Sequence, residues 1–473
     1  MSRTIDLQVS FADLEFMRQG IFLDPVLQTI SDFLDQQEEM IEKVRHDLER
    51  GLKNPHTGRN GLTPPQVLRS LVLMRVKNWD YRELRERIND GYTLRRFTAF
   101  LGQGVPQHHA FNRAFNRLTP ETLRTVNEWV VQAAVGLGLE DGQKLRVDTT
   151  LVETDIHHPT DNTLLWDTVR VLTRLVSHLA QALGRRLKVF HNRTRAARRR
   201  MRAIQRMTPL QRHQQQTKIY RQLIALTEQV VASTHRVLKQ TEKARGKDPK
   251  GDALIRSLRS EIGRYGEWGE RVIAQTRRRV LEGEQVPSTE KVYSIFEPHT
   301  DLIRRGKADT PNEFGHQVFL AESAQGLITQ YAVLSGNPAD EVQVEPSLQR
   351  QRETFGHAPH RYGSDRGFHS QNHLQACRRS GVKIVCIPQR GGKKTSRQEA
   401  YEKSAAFKKG QHFRAGLEGR ISVLFRGRGM KRCRAQGRER FELLVGAAVL
   451  ANNLMRIAAL LTPSWSREKR RAA

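Results

Sequence analysis

The sequence predicts a mixed α/β fold: helices packed on a sheet, an all-helical domain before the first strand, and a long helical insertion directly after it. Three observations carry this. Period-two alternation marks a strand at 144–152, with Leu145, Val147, Thr149 and Leu151 on one face. Helical periodicity then fills 163–283. From 291 onward strand and helix patterns alternate, as they do where helices cover a sheet.

The elements follow in order. Residues 10–50 read as one or two acidic amphipathic helices, and Thr63-Pro64-Pro65 makes a good helix start. Short helices are expected at 66–77, 80–89, 93–101, 108–117 and 120–137. Such a cluster suits a helix-turn-helix DNA reader, and equally a plain structural or dimerising bundle. In the insertion Leu165, Val169, Leu172, Val176, Leu179 and Leu183 step by four and three, the seam of a coiled coil. A later helix offers Ile255, Leu258, Ile262, Tyr265, Trp268 and Val272, so the two predict an antiparallel arm. Its arginine-rich stretch NRTRAARRRMR (192–202) is expected to be exposed, with Arg198, Arg199 and Arg200 as candidates for phosphate contacts. Beyond it come a strand at 291–297, a hairpin (316–323 and 327–336), a helix at 339–354 and a strand at 360–365. A helix at 370–380, a strand at 382–388, a helix near 416–426 and a long closing helix complete the pattern. The run Phe441 to Leu461 is long enough to span a membrane, but Glu442, Asn452, Asn453 and Arg456 make it a buried helix.

Composition bounds the partners. With 473 residues the chain has room for two to four domains. Its formal charge is +30 and its pI about 10.7, so the natural partner is a polyanion. The charge is uneven: residues 1–50 hold 11 Asp/Glu against 5 Lys/Arg, while Thr168 to Thr227 has 15 Lys/Arg and no carboxylate. Arg390 to Arg440 has 16 Lys/Arg and 4 Glu. Single basic runs are ordinarily solvated faces; blocks this long favour nucleic acid. Cys377, Cys386 and Cys433 lack zinc-type spacing and fit a reducing compartment. MSRTIDLQVS lacks a signal peptide's apolar core, so a soluble protein of the cytoplasm, at the nucleoid, is expected, with no membrane partner.

Three carboxylates carry the chemistry. Asp148 sits in the middle of the 144–152 strand, although aspartate is a poor strand former and a buried unpaired carboxylate is costly. A bound metal ion would balance it. Asp365, in YGSDRGFHSQ, falls where a strand gives way to Arg366-Gly367, either as a turn residue or as a reactive group beyond a strand end. Glu418 precedes Arg420, Arg426, Arg428, Lys431 and Arg432, and would equally suit the positive end of a helix. Jointly, carboxylates from separate elements are the minimum equipment for Mg2+ or Mn2+. Two such ions about 4 Å apart clamp an in-line phosphoryl displacement. Imidazole is not what this chemistry asks for, so His157 and His158 read as structural or DNA-facing; His108 and His109 suggest no role.

VDTTLVETDIHHPTDNTLLWD (147–167), SIFEPHTDLIRRGKADTPNEFGHQVFL (294–320), YGSDRGFHS (362–370) and EGRISVLFRGRGMKRC (418–433) together resemble a bacterial insertion-sequence transposase. The resemblance is to the DDE type of the ISNCY-like group; residues 61–97 resemble the helical N-terminal domain of such enzymes. It implies an RNase H-like mixed sheet flanked by helices, with Asp148, Asp365 and Glu418 as catalytic and metal-binding residues and two Mg2+ or Mn2+ ions. Glu399 and Glu402 are nearby substitutes for Glu418, without its following RIS segment. Arg366, Arg420, Arg426 and Lys431 would lie near the DNA backbone, and His316 would support the core. The implied domains are 1–140 (helical, dimerisation or DNA binding), 141–162 with 284–462 (catalytic), 163–283 (basic insertion) and 463–473 (basic tail). The implied activity is binding of terminal inverted repeats in double-stranded DNA, metal-dependent cleavage, and strand transfer into target DNA by a homo-oligomer. The acidic N-terminal helices or the 165–183 seam would be its interfaces. The alternatives are an RNase H-like nuclease that does not join strands, and a catalytically silent, domesticated DNA-binding protein.

Overall fold

A computed structural model describes residues 18–55, 57, 61–304 and 312–462. The basic tail at 463–473 and part of the 294–320 motif lie outside them. The chain divides into two compact units, Met1–Glu153 with Gln317–Ala473, and Thr154–His316.

The first unit begins with helices α1 (Pro25–Asp35), α2 (Glu38–Glu49), α3 (Pro64–Lys77), α4 (Tyr81–Asp90), α5 (Tyr92–Phe97), α6 (His108–Phe115) and α7 (Pro120–Gly136). Their starts are chemically marked. Asp24 accepts from the Val26 and Leu27 amides, Thr63 and Gln66 form a capping box with Pro64 at the first helical position, and Asp80 caps α4. Leu68, Met74, Phe97, Phe111 and Val126 bury a shared core. Arg69 is buried within it, donating to Ser31, to the Phe97 carbonyl and, at 2.5 Å, to Asp35; burial lowers its pKa despite that partner. Strand β1 (Lys144–Thr154) follows.

Among its described residues the second unit holds four α-helices where the seam predicts a two-helix arm: α8 (Asp161–Ala182), α9 (Thr194–Gln205), α10 (Pro209–Gln240) and α11 (Pro249–Thr276), the last running into a π-helical turn (Arg277–Leu281). Leu165, Val169, Leu172, Val176 and Leu179 are buried against Leu223, Val230, Ile255, Ile262 and Val272. The seam is thus filled from within its own unit and is no open face for a second copy. The strand expected at 291–297 is absent. Gln275 bonds both backbone groups of Val292, and Ser294 Oγ accepts from the Phe296 and Glu297 amides, so side chains take the bonds a ladder would use. The strand here is β2 (Asp301–Ile303), antiparallel to residues 313–315.

Back in the first unit, β3 (Glu313–Ser323) and β4 (Ile328–Val333) form the predicted hairpin, turning at Gly326, whose φ of +83° suits glycine. A 3-10 turn (Asp340–Gln343) leads into α12 (Val344–Phe355), then β5 (Arg361–Gly363), α13 (Gln371–Arg379) and β6 (Ile384–Cys386). Next come α14 (Ser396–Lys403), α15 (Ala405–Gly427), β7 (Arg432–Cys433) and α16 (Arg438–Leu461). The sheet is mixed: β1 lies between β3 and β5, β5 and β6 run parallel to β1, and β3 and β4 pair antiparallel. Helix α16 is a core helix, with Val445, Val449, Leu450, Leu454 and Ile457 buried. Its Asn453 bonds both backbone groups of Ile328 at 2.8 Å, satisfying polar atoms at the edge strand.

Candidate active site

The β1–β5 ladder sets the site. Its last pair is Arg146 opposite Gly363, and two residues further on each chain stand Asp148 and Asp365. Parallel neighbours lie about 4.8 Å apart, so this register sets the two predicted acids just past the last β1–β5 pair, Asp148 within β1 and Asp365 beyond the end of β5. Asp148 is buried (8% exposed), accepts from the Thr149 amide at 2.8 Å, and is ion-paired to Arg414 Nη2 at 2.8 Å. Asp365 caps a 3-10 turn (Arg366–Phe368) by accepting from the Gly367 amide at 2.8 Å.

Glu418 arrives on α15. Glycines let that helix approach the sheet: a Cβ at Gly410 would collide with Cys386 Sγ, and one at Gly416 with the Arg146 guanidinium. Gln411 donates to the Ser364 and Cys386 carbonyls at 3.2 and 2.6 Å, holding α15 across the ends of β5 and β6. One turn before Glu418, Arg414 donates to its carboxylate at 3.0 Å through Nη1 while pairing with Asp148 through Nη2. A single guanidinium therefore bridges two of the three predicted acids. Glu418 is exposed.

Two residues beside these candidates escape the sequence reading. Arg414 looks like one more cation in a basic run. Asp340 looks like a helix-start aspartate; Thr149 Oγ1 donates to it at 2.5 Å. A Cβ built on Gly367 would stand 2.8 Å from Asp340 Oδ2 and 3.0 Å from Asp365 Oδ1, so these carboxylates face each other across that glycine. The glycine after Asp365-Arg366 is the trace a sequence reading could have followed. Among the described residues, no group of three or more His, Cys, Asp or Glu side chains is placed to hold a metal ion.

The remaining candidates sort by surroundings. Arg420 donates to Glu322 Oε1 at 2.7 Å; Arg146 takes the other oxygen at 2.8 Å, and Glu322 is fully buried, so both arginines clamp α15 to the sheet. Arg366, Arg426 and Lys431 are exposed. Glu399 pairs with Lys403, and Glu402 with Lys394 and the Gln389 amide. In the second unit Arg198 and Arg199 are exposed, while Arg200 is half-buried and donates to Gln222 at 3.1 Å. His157 lies 3.4 Å from Asp167, and the His158 ring packs edge-on against Phe314. His316 is fully buried, 2.7 Å from His299 Nδ1 and 2.8 Å from Asp301. The His108 and His109 rings lie edge to face, 5.7 Å apart.

Residues 18–117, which carry α1 to α6, match the family model described as Transposase domain (DUF772). That match supports a transposase family. It suggests a DNA-processing enzyme, with DNA as the partner such a family implies. No curated protein and no solved structure matches the chain. Within the first unit the transposase-type helices are tied to α15: Asn78, just after α3, donates to the Arg426 carbonyl at 3.2 Å, and Arg428 to the Val76 carbonyl at 2.9 Å.

Proposed function

We propose that the chain is a DDE transposase of the ISNCY-like group with an RNase H-like core. It binds the terminal inverted repeats of its element, cleaves there, and joins the freed 3′-hydroxyl to target DNA. One observation carries the reading: Arg414 bonds both Glu418 and Asp148, Thr149 beside Asp148 donates to Asp340, and the Asp340 and Asp365 carboxylates flank Gly367. Supporting it, Asp365 follows the end of β5, the kind of place where α/β sheets carry reactive groups, and Arg414 joins Asp148 to Glu418 although 266 residues separate it from Asp148. The mixed sheet with its first strand internal supports the RNase H-like reading, and the charge of +30 supports a polyanionic substrate.

Asp148, Asp365 and Glu418 would hold Mg2+ or Mn2+, two ions in all, with Asp340 as a further carboxylate; a donor set of carboxylate oxygens suits a hard dication. Bound there, such ions supply an activated water or 3′-hydroxyl and charge stabilisation for in-line attack on phosphorus. The chain's own part is positional. Arg414 fixes Asp148 and Glu418 relative to each other, the Glu322 clamp fixes α15, and exposed Arg366, Arg426 and Lys431 offer charge to the backbone that the acids repel.

The test is incubation of the full chain with Mg2+, DNA bearing the element's ends, and a target plasmid. End cleavage and a joined product are expected, both reduced at least about a hundredfold in Glu418→Gln. Cleavage without joining would assign a nuclease, binding without cleavage a silent DNA-binding protein. Undiminished cleavage by Glu418→Gln would remove that residue from the site.

A further inference from the structure

A second site stands in the other unit. Along α9 and its C-cap, Arg195, Arg198, Arg199, Arg202 and Arg206 recur at helical spacing on one face, while Ala197, Met201 and Ile204 on the other are buried. With Trp166 from α8 these arginines line an open hollow of about 690 Å³. All five are exposed, and none pairs with a carboxylate among the described residues. Nor is any guanidinium stacked over the Trp166 ring among those residues, although Arg264 stacks on Tyr265 and Arg271 on Trp268 in the same unit. Trp166 is half-buried, its inner side packed on the helical core.

We infer that this hollow binds single-stranded nucleic acid, the arginines holding successive phosphates and Trp166 stacking on an unpaired base. Like charges three and four residues apart destabilise a helix that carries no compensating acids. A polyanion relieves that repulsion. A solvated arginine face would account for the charge but not for a half-buried indole set among five arginines with none of them stacked over it. The aromatic also decides the kind of polyanion. A duplex keeps its bases stacked inside and offers an indole little, whereas a single strand presents base faces, and a basic groove with a stacking platform is how such strands are held. The hollow is of the size that small-molecule sites have, large enough for a base. From Arg195 to Arg206 the helix axis runs about 16 Å, room for more than one phosphate.

The inference uses none of the acids of the proposed active site, and its test is run on the full chain in EDTA. Binding of labelled oligo-dT and of a random duplex of equal length is followed by anisotropy for wild type, Trp166→Ala, Trp166→Phe and Arg199→Gln/Arg202→Gln. An oligo-dT carrying 5-iodouracil is also photo-crosslinked and the attached peptide mapped. Expected are a loss of about fivefold or more in oligo-dT affinity for Trp166→Ala, less than twofold for Trp166→Phe, and less than twofold for either variant on the duplex. The double arginine variant should weaken oligo-dT binding and lower its salt slope by about one to two. The cross-link should fall on the peptide containing Trp166. Unchanged oligo-dT affinity in Trp166→Ala, or cross-links that map only to the other unit, would overturn the inference; the mapping decides even if Trp166→Ala is poorly folded.

Discussion

At Gly367 a hydrogen stands where any side chain would press on Asp340. Gly367→Ala is therefore expected to push the facing carboxylates of Asp340 and Asp365 apart. End-DNA cleavage should fall at least about tenfold while stability drops by under about 2 kcal/mol, read by a cleavage time course beside a urea melt; unchanged cleavage would detach Asp340 from the site. Arg414 answers to a different term. Removing it takes one hydrogen-bonded cation from buried Asp148, so Arg414→Ala should cost up to about 3 kcal/mol, and adding Asp148→Asn should recover part of that in a double-mutant cycle. At this scale the sequence reading picked out Asp148 and Asp365 as candidates because a carboxylate in an apolar strand, or at a strand end, is a local anomaly, and Glu418 because it precedes a basic run in a stretch that carries the resemblance. It could not reach Asp340 or Arg414. Their partners lie 191 and 266 residues away in sequence, and no local pattern records such a meeting.

At the scale of elements the strands and helices were largely legible, because period-two and period-3.6 patterns are properties of the chain alone. The alternation at 144–152 becomes β1, the hairpin becomes β3 and β4, and the five short helices become α3 to α7 with ends shifted by a few residues. The apolar run at 291–297 misled, because apolar burial without a ladder looks the same in sequence: Val292, Tyr293 and Ile295 are buried in irregular backbone. The helix expected near 416–426 begins at Ala405, its glycines at 410 and 416 weakening the helical signal while permitting close packing. Gly410→Val should accordingly lower stability by about 1–3 kcal/mol through collision with Cys386. Burial pushes the Cys386 thiol up to about 11 and that of Cys377 to about 12. A raised thiol pKa keeps the proton on, so the native protein at pH 8 should resist iodoacetamide at both positions and react on unfolding. Rapid labelling of the folded chain would contradict the packing of β6.

For the whole molecule, charge bears on the partner and the distant acids on the proposed chemistry. A chain of +30 that neutralises about five or more phosphates should lose about a hundredfold or more in DNA affinity between 50 and 200 mM salt. The helices that match a transposase domain and the candidate acids belong to one compact unit, and four α-helices make up most of the described part of the other. The seam at 165–183 advertised an interface because a heptad does not say whether its partner is another copy or the same chain. The most direct measurement compares Mg2+-dependent cleavage of end-bearing DNA by wild type, Asp148→Asn, Asp365→Asn and, as a control in the other unit, Asp252→Asn. Losses of at least about a hundredfold for the first two substitutions, with the control near wild type, are predicted. Wild-type cleavage by either Asp148→Asn or Asp365→Asn would contradict the account.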